Sequence, residues 1–308
     1  MKKTLVIALG GNALLQRGEV LSAQNQYKNI EQVASVVAAL VAKYRIVIVH
    51  GNGPQVGLLA LQNQACDLAP PYPLDILVAE TQGMLGYMIA QTLGKMLNMP
   101  AISSLLTRIE VDPTDIAFND PSKLIGPVYQ PSQEQELVAN YGYRMKRDGE
   151  YLRRVVASPR PQRVLEIDAI RHLLSQGNVV ICGGGGGIPV AHDEQGFVGV
   201  EAVIDKDLAA SLLAKELHAE YLMILTDADA VYQNWGTPQA RALRNVTVET
   251  LRPFAAPDGS MGPKAQAVIE FVEQTGKTAF IGALKDAADI LKGNKGTKVI
   301  STQEAMVS

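Results

Sequence analysis

Two lysines stand where helix electrostatics argue against them. Lys206 in VIDKD (Val203 to Asp207) and Lys264 in GSMGPK (Gly259 to Lys264) each fall in the first turn of an expected helix. The positive end of a helix dipole disfavours a cation there. Ordinary capping accounts for the acidic neighbours Asp205 and Asp207 but not for the lysines. An anionic partner does. Asp207 is placed to hold Lys206 in position. Two such lysines beside glycine-rich turns suit phosphoryl transfer, where the protein's task is to position the transferring group and neutralise its charge.

Glycine clusters point the same way. GGNA (Gly10 to Ala13) lets backbone N–H groups approach an anion, and Asn12 adds side-chain donors; a plain strand-to-loop turn is the alternative. HGNGPQVG (His50 to Gly57) reads GxGxxxG, not the GxGxxG of dinucleotide binding. Pro54 suits the first position of a helix, so Gly53 and the helix start read as an oxyanion cradle. His50 reads as a positioned structural histidine ahead of a catalytic base. The five glycines of CGGGGGIPV (Cys182 to Val190), Gly184 and Gly185 among them, interrupt an apolar strand. A loop wrapping a phosphate or nucleotide explains them better than a flexible linker. TDADAVY (Thr226 to Tyr232) offers Asp227 to magnesium or to the lysines, and Tyr232 to a base or ribose.

Positioning these clusters is the work of an α/β rhythm. TLVIAL is a short apolar strand ended by Gly10 and Gly11; Ile30, Val33, Val37, Leu40 and Val41 recur at helical spacing within 25–42; RIVIVH (Arg45 to His50) is a second strand. That order predicts a right-handed parallel crossover. Helices are expected at 55–66 and 75–97 and a strand near 100–105. After residue 161 come helices at 165–175, 206–217, 262–275 and 286–291, and strands at 179–182, 221–226, 278–281 and 298–301. Each cluster follows a strand, and an open parallel sheet binds ligands beyond its carboxyl ends. Between about 112 and 161 prolines and turn residues accumulate and apolar runs shorten, which predicts an excursion from the sheet, a small hairpin-bearing lid.

The chain of 308 residues suffices for one large α/β domain or two modest ones. Aromatics are only 5%, so the core must be aliphatic, as buried parallel strands require. A net charge of −3 without a dominant basic block argues against nucleic acid or an anionic membrane as partner. The basic run Arg144 to Arg154 reads as a solvated face or hairpin before a ligand-steering element. Cys66 and Cys182, far apart and outside any CxxC, suggest neither disulfide nor zinc. TLVIAL is far too short for a signal peptide, no apolar run approaches a membrane span, and the expected location is the cytosol.

ALGGNAL, HGNGPQVG, GGGGIPV, VIDKD, LTDADAVY and GSMGPK, in this order, closely resemble the motifs of carbamate kinases in the amino-acid kinase superfamily. NDPSKLIGPVYQ (Asn119 to Gln130) and LRRVVASPRP (Leu152 to Pro161) do so too, and the match spans nearly the whole chain. The resemblance implies a single domain over 1–308, a three-layer α/β/α sandwich on an open, mostly parallel sheet with the lid inserted, usually a homodimer. It implies ATP + carbamate ⇌ ADP + carbamoyl phosphate with Mg2+, often run toward ATP in arginine, citrulline or allantoin breakdown. Lys206 and Lys264 correspond to the phosphate-neutralising pair and Asp207 to the residue organising them. Gly10, Gly11, Asn12, Gly51, Asn52 and Gly53 correspond to the substrate and γ-phosphate cradle, and Asp227, Tyr232 and Met261 to the nucleotide side. Superfamily relatives place a lysine where this chain has Ala8; the carbamate kinase branch uses a lid lysine instead, matching Lys123. Two alternatives stay open: another small-acceptor kinase of the superfamily, and a non-catalytic nucleotide or carbamoyl-phosphate sensor. The sensor would be expected to have lost Lys206, Lys264 or Asp207. A nicotinamide oxidoreductase lacks its fingerprint here.

Overall fold

The computed structural model describes residues 2–16, 18–97, 101–256 and 260–302. Among these, eight strands form the main sheet: β1 (Lys3–Leu9), β2 (Tyr44–His50), β3 (Ile102–Ser104), β4 (Val179–Ile181), β5 (Tyr221–Thr226), β6 (Asn245–Thr247), β7 (Thr278–Ala283) and β8 (Thr297–Ile300). Their order is β6-β8-β7-β5-β1-β2-β4-β3. Neighbours run parallel except β7 and β8, which are antiparallel.

The central strands are apolar throughout because both faces are covered. Strand residues alternate between faces, so Val6, Ala8, Val47 and Val49 belong to one core layer, and Leu5, Ile7, Leu9, Ile46 and Ile48 to the other. Each such Val, Leu or Ile side chain, fully withdrawn from water, contributes about 1.5–3 kcal/mol. The helices are α1 (Ala23–Leu40), α2 (Gly53–Gln64), α3 (Leu74–Leu97), α4 (Glu134–Tyr141), α5 (Ile167–Ser175), α6 (Lys206–Glu216), α7 (Val248–Leu251), α8 (Gly262–Thr275) and α9 (Ala287–Leu291). Helices α6 and α8 supply the first layer; α1, α3 and α9 supply the second. This is the expected three-layer α/β/α arrangement.

Between Ser104 and Val179 the chain lies outside the main sheet, and the expected excursion at 112–161 falls within this stretch. Strands Lys123–Tyr129, Tyr151–Val156 and Arg144–Asp148 form an antiparallel sheet in that order, with α4 between the first and the last in sequence. The basic run is thus a hairpin, turning at Gly149. Arg154 lies over the Tyr143 ring (4.2 Å) and near Glu201 (3.7 Å), while Arg153 donates to Gly126 O (2.9 Å). Ile125 and Val156 pack into a small core with Val56, Leu77 and Val78 of α2 and α3.

Backbone contact fastens this unit. A Cβ on Gly57 of α2 would lie 1.9 Å from Gly126 Cα. We expect Gly57→Ala to force the two backbones apart, costing about 1–3 kcal/mol and exposing the Arg/Lys-rich hairpin to trypsin. Unchanged melting temperature and cleavage rate would show that the contact is dispensable.

A separate four-stranded sheet was not foreseen. It runs Gly196–Gly199, Ile188–Asp193, Arg108–Val111, Pro161–Val164. No helix of the described residues is long and apolar enough to cross a membrane.

Candidate active site

Because β1, β2, β4 and β5 are parallel, their carboxyl ends share one edge, and the four clusters meet there. Gly10 and Gly51 continue the ladder: their N–H groups donate to Leu225 O (2.8 Å) and Leu9 O (3.3 Å). These two N–H groups are therefore committed, and the glycines act by lacking side chains. A Cβ on Gly51 would sit 3.3 Å from Lys206 Cδ and 3.5 Å from Gly11 Cα, so the Lys206 stem lies along bare backbone. A 3₁₀ turn begins at Gly11 and α2 begins at Gly53, and the leading N–H groups of such starts have no partner inside their own helix. The side chain of Asn12 lies outside the described residues, as does Gly259 of the GSMGPK turn.

At the start of α6, Asp205 is the N-cap; its Oδ1 accepts from the N–H of Asp207 (2.9 Å) and of Leu208 (3.3 Å). Lys206 and Asp207 then open the helix. Asp207, only 2% exposed, accepts from Lys206 Nζ on Oδ1 (2.5 Å) and from Lys264 Nζ on Oδ2 (3.3 Å). Lys264 comes from the first turn of α8, which begins Gly262-Pro263. One buried carboxylate thus braces two ammonium groups from two helix starts. Burial pushes the Lys206 ammonium down, and Lys264 adds to this, while Asp207 and Asp205 oppose it. Lys123, from the strand Lys123–Tyr129 outside the main sheet, reaches the same place: its Nζ lies 2.5 Å from Asp205 Oδ2. Three lysines here meet two aspartates, an arrangement that with every group ionised carries one positive charge in excess and can receive an anion.

The five-glycine loop is tightly held. Gly183 donates to Thr107 Oγ1 (3.0 Å), and Gln82 Nε2 donates to Gly184 O (2.8 Å) and Thr107 O (3.3 Å). Gly185 has φ +66°, and a Cβ there would fall 2.1 Å from Asn52 Nδ2. Asn52 is buried and donates to Thr81 Oγ1 (2.8 Å), so its side chain is tied to α3 alongside Gly185. His50 is buried beneath Gly184, with Nδ1 3.1 Å from Gly51 O, and burial lowers its pKa to about 4. It is neutral at physiological pH, which fits a structural role.

Asp227 follows the end of β5 and lines a cleft of about 480 Å³ with Gln16, Asn29, Thr226 and Lys285. The Tyr232 hydroxyl donates to Asp229 (2.9 Å), and its ring lies 5.0 Å from that of Trp235. Met261, the residue before α8, packs against the core layer containing α8.

Thr81, Gln82 and Thr107 have no place in the sequence reading. A signal existed for the first two: they fall on the buried face of α3 defined by Leu74, Leu77, Val78 and Leu85, where a polar side chain needs a partner.

The fold and this lysine–aspartate group define a kinase-type phosphotransferase. Residues 3–283 match the model of the amino acid kinase family. Carbamate kinase of Escherichia coli is 60% identical over 295 residues, covering 96% of this chain and 98% of its own length. Carbamate kinase of Giardia lamblia bound to citric acid superposes with TM-score 0.91 at 41% identity, covering 97% and 99% of the two chains. The same Giardia enzyme bound to AMP-PNP gives 0.88 at 42%, with the same coverage. The chain belongs to the amino acid kinase family, on its carbamate kinase branch.

Proposed function

We propose that the protein catalyses ATP + carbamate ⇌ ADP + carbamoyl phosphate and that it runs toward ATP in the cell. The observation that carries this reading is the buried Asp207 bracing Lys206 and Lys264 at the carboxyl edge of the sheet. In the ATP-forming direction an oxygen of the ADP β-phosphate attacks phosphorus, the bond from phosphorus to the carbamate oxygen breaks, and carbamate leaves with that electron pair. Charge spreads over the equatorial oxygens during transfer. Lys206 and Lys264 neutralise it, and Asp207 fixes their positions. Gly10, Gly11 and Gly51 keep the strand ends bare so that the phosphoryl group approaches the backbone, and the starts of the Gly11 turn and of α2 at Gly53 supply N–H donors. A site framed by backbone suits an acceptor as small as carbamate, which has no side chain to recognise.

The five-glycine loop, through Gly184 and Gly185, borders the nucleotide, with Tyr232 and Met261 toward its base. Among the described residues no cluster of three His, Cys, Asp or Glu side chains could hold a metal alone. Mg2+ escorting a nucleotide needs only one or two carboxylates besides the phosphates, and Asp227 beside the cleft fits that demand, directly or through water. Bound there, Mg2+ would draw charge from the phosphates. The unit at 112–161 acts as a lid, and a homodimer in the cytosol is the expected form.

A coupled assay for ATP from ADP and carbamoyl phosphate tests the reading. We expect turnover that vanishes in excess EDTA and returns with Mg2+. No ATP would overturn the proposed reaction, and full activity in EDTA would overturn the metal requirement.

A further inference from the structure

Capping and the helix dipole account for an acidic residue at the start of α6, but they occupy only one of its two oxygens. Asn and Ser cap helices about as well as Asp. Here the N-cap residue is Asp205, and its second oxygen, Oδ2, does not serve the helix: it takes Lys123 Nζ at 2.5 Å. The same side chain thus joins two elements that are remote in sequence. On one side is α6, whose next two residues are Lys206 and Asp207. On the other is lid strand Lys123–Tyr129, where Lys123 pairs with Val156 and Ile125 is buried against α2 and α3. Burial by itself would raise the Asp205 carboxyl, but Lys123 and Lys206 outweigh it and hold the group below the usual carboxylate range. It therefore stays ionised.

We propose that Asp205 is a positioning residue for Lys123, capping α6 with one oxygen and anchoring the lid lysine with the other, so that a third cation stands ready beside the Lys206–Asp207–Lys264 group. This rests on the phosphoryl-transfer reading above. An ammonium has three N–H donors, so Lys123 can keep Asp205 on one and offer the others to a phosphoryl oxygen. A free lysine side chain would lose its rotamer freedom on engaging phosphate, whereas an anchored one has already lost it. The anchor is fixed to the helix that carries Lys206, so the two cations keep their relative placement when the lid is seated.

Asp205→Asn separates the two roles, because asparagine keeps the cap and removes the charge. We expect kcat/KM for carbamoyl phosphate to fall about tenfold or more, KM for ADP to stay within about twofold, and melting temperature to shift by only about a few degrees. If Asp205 acts through Lys123, adding Asp205→Asn to Lys123→Ala costs almost nothing further. Losses that multiply in the double variant, wild-type kinetics in the single one, or an equal loss in ADP affinity would each overturn the assignment. Amide exchange along Lys123–Tyr129 supplies a readout independent of activity. It should quicken in Asp205→Asn, and unchanged protection would overturn the anchor even if the wild-type protein proved inactive on carbamoyl phosphate. That inactivity would instead overturn the proposed reaction. Should the asparagine variant fail to fold, Asp205→Ser carries the same cap and the same readouts.

Discussion

Lys206→Ala and Lys264→Ala are each expected to lower turnover by about 10²–10³ in both directions while leaving the melting temperature nearly unchanged. The first half follows from geometry. Both ammonium groups are held by one carboxylate that is almost wholly withdrawn from water, at the edge where four strands end. Their positions are set before substrate arrives, so the protein need not reorganise as charge spreads in the transition state. The second half needs an argument, because breaking a buried ion pair is ordinarily destabilising by several kcal/mol. Asp207 has two partners: Lys264 at 3.3 Å remains after loss of Lys206, and Lys206 at 2.5 Å remains after loss of Lys264. Neither variant strands a buried charge. Asp207→Ala differs, since it leaves two adjacent cations without their carboxylate, and both stability and turnover should fall. Steady-state kinetics beside thermal melts decide the matter. A lysine variant that keeps more than half of wild-type turnover would remove that residue from the transfer step.

Much of this site was legible because its signals are local. A lysine in the first turn of a helix contradicts the dipole, and glycines at strand ends contradict strand propensity; such conflicts mark function. The strands and helices of the main layers were legible for a related reason. Apolar runs such as RIVIVH and the helical spacing of Ile30, Val33 and Val37 reflect burial on two faces or on one, and β2 (Tyr44–His50) and α1 (Ala23–Leu40) fall within about two residues of their expected bounds. What stayed hidden depends on contacts between distant segments. Arg108–Val111 and Pro161–Val164 are short and partly polar, and they become strands by pairing with each other and with Ile188–Asp193. The helix Glu134–Tyr141 buries little beyond Leu137, so it carries no apolar stripe to read. Asn52 stands in GNG, but the bond that holds its side chain, to Thr81 Oγ1, comes from a helix residue 29 positions away and leaves no local mark. Asp205 hid for a different reason: its cap function was sufficient explanation, and nothing local announced that its other oxygen meets a residue 82 positions away.

Lys123→Ala should lower turnover strongly, with the loss appearing in kcat and in KM for carbamoyl phosphate, and nucleotide affinity largely kept. The case begins with Ala8. That residue is fully buried in β1, on the face covered by α6, so no cation reaches the transferring group from the first strand. The charge on the equatorial oxygens still demands one. Arg154, another cation of this segment, is engaged over the Tyr143 ring and near Glu201. Lys123 alone among the lid cations forms an ion pair with a residue adjacent to Lys206, through Asp205, among the described residues. An ordinary surface lysine changed to alanine alters neither kinetics nor stability by much. A lid lysine over the phosphoryl group alters the chemical step and the acceptor's affinity, but it has no reason to alter recognition of the base. Lys123→Arg refines the comparison: it keeps the charge but replaces a compact ammonium with a planar fork, so it should restore the pair with Asp205 more fully than it restores turnover. Michaelis constants for ADP and carbamoyl phosphate, measured separately on both variants, distinguish the outcomes. Wild-type values for both substrates in Lys123→Ala would mean that the lid closes over the site without contributing charge, and that Lys206 and Lys264 carry the transferring group unaided.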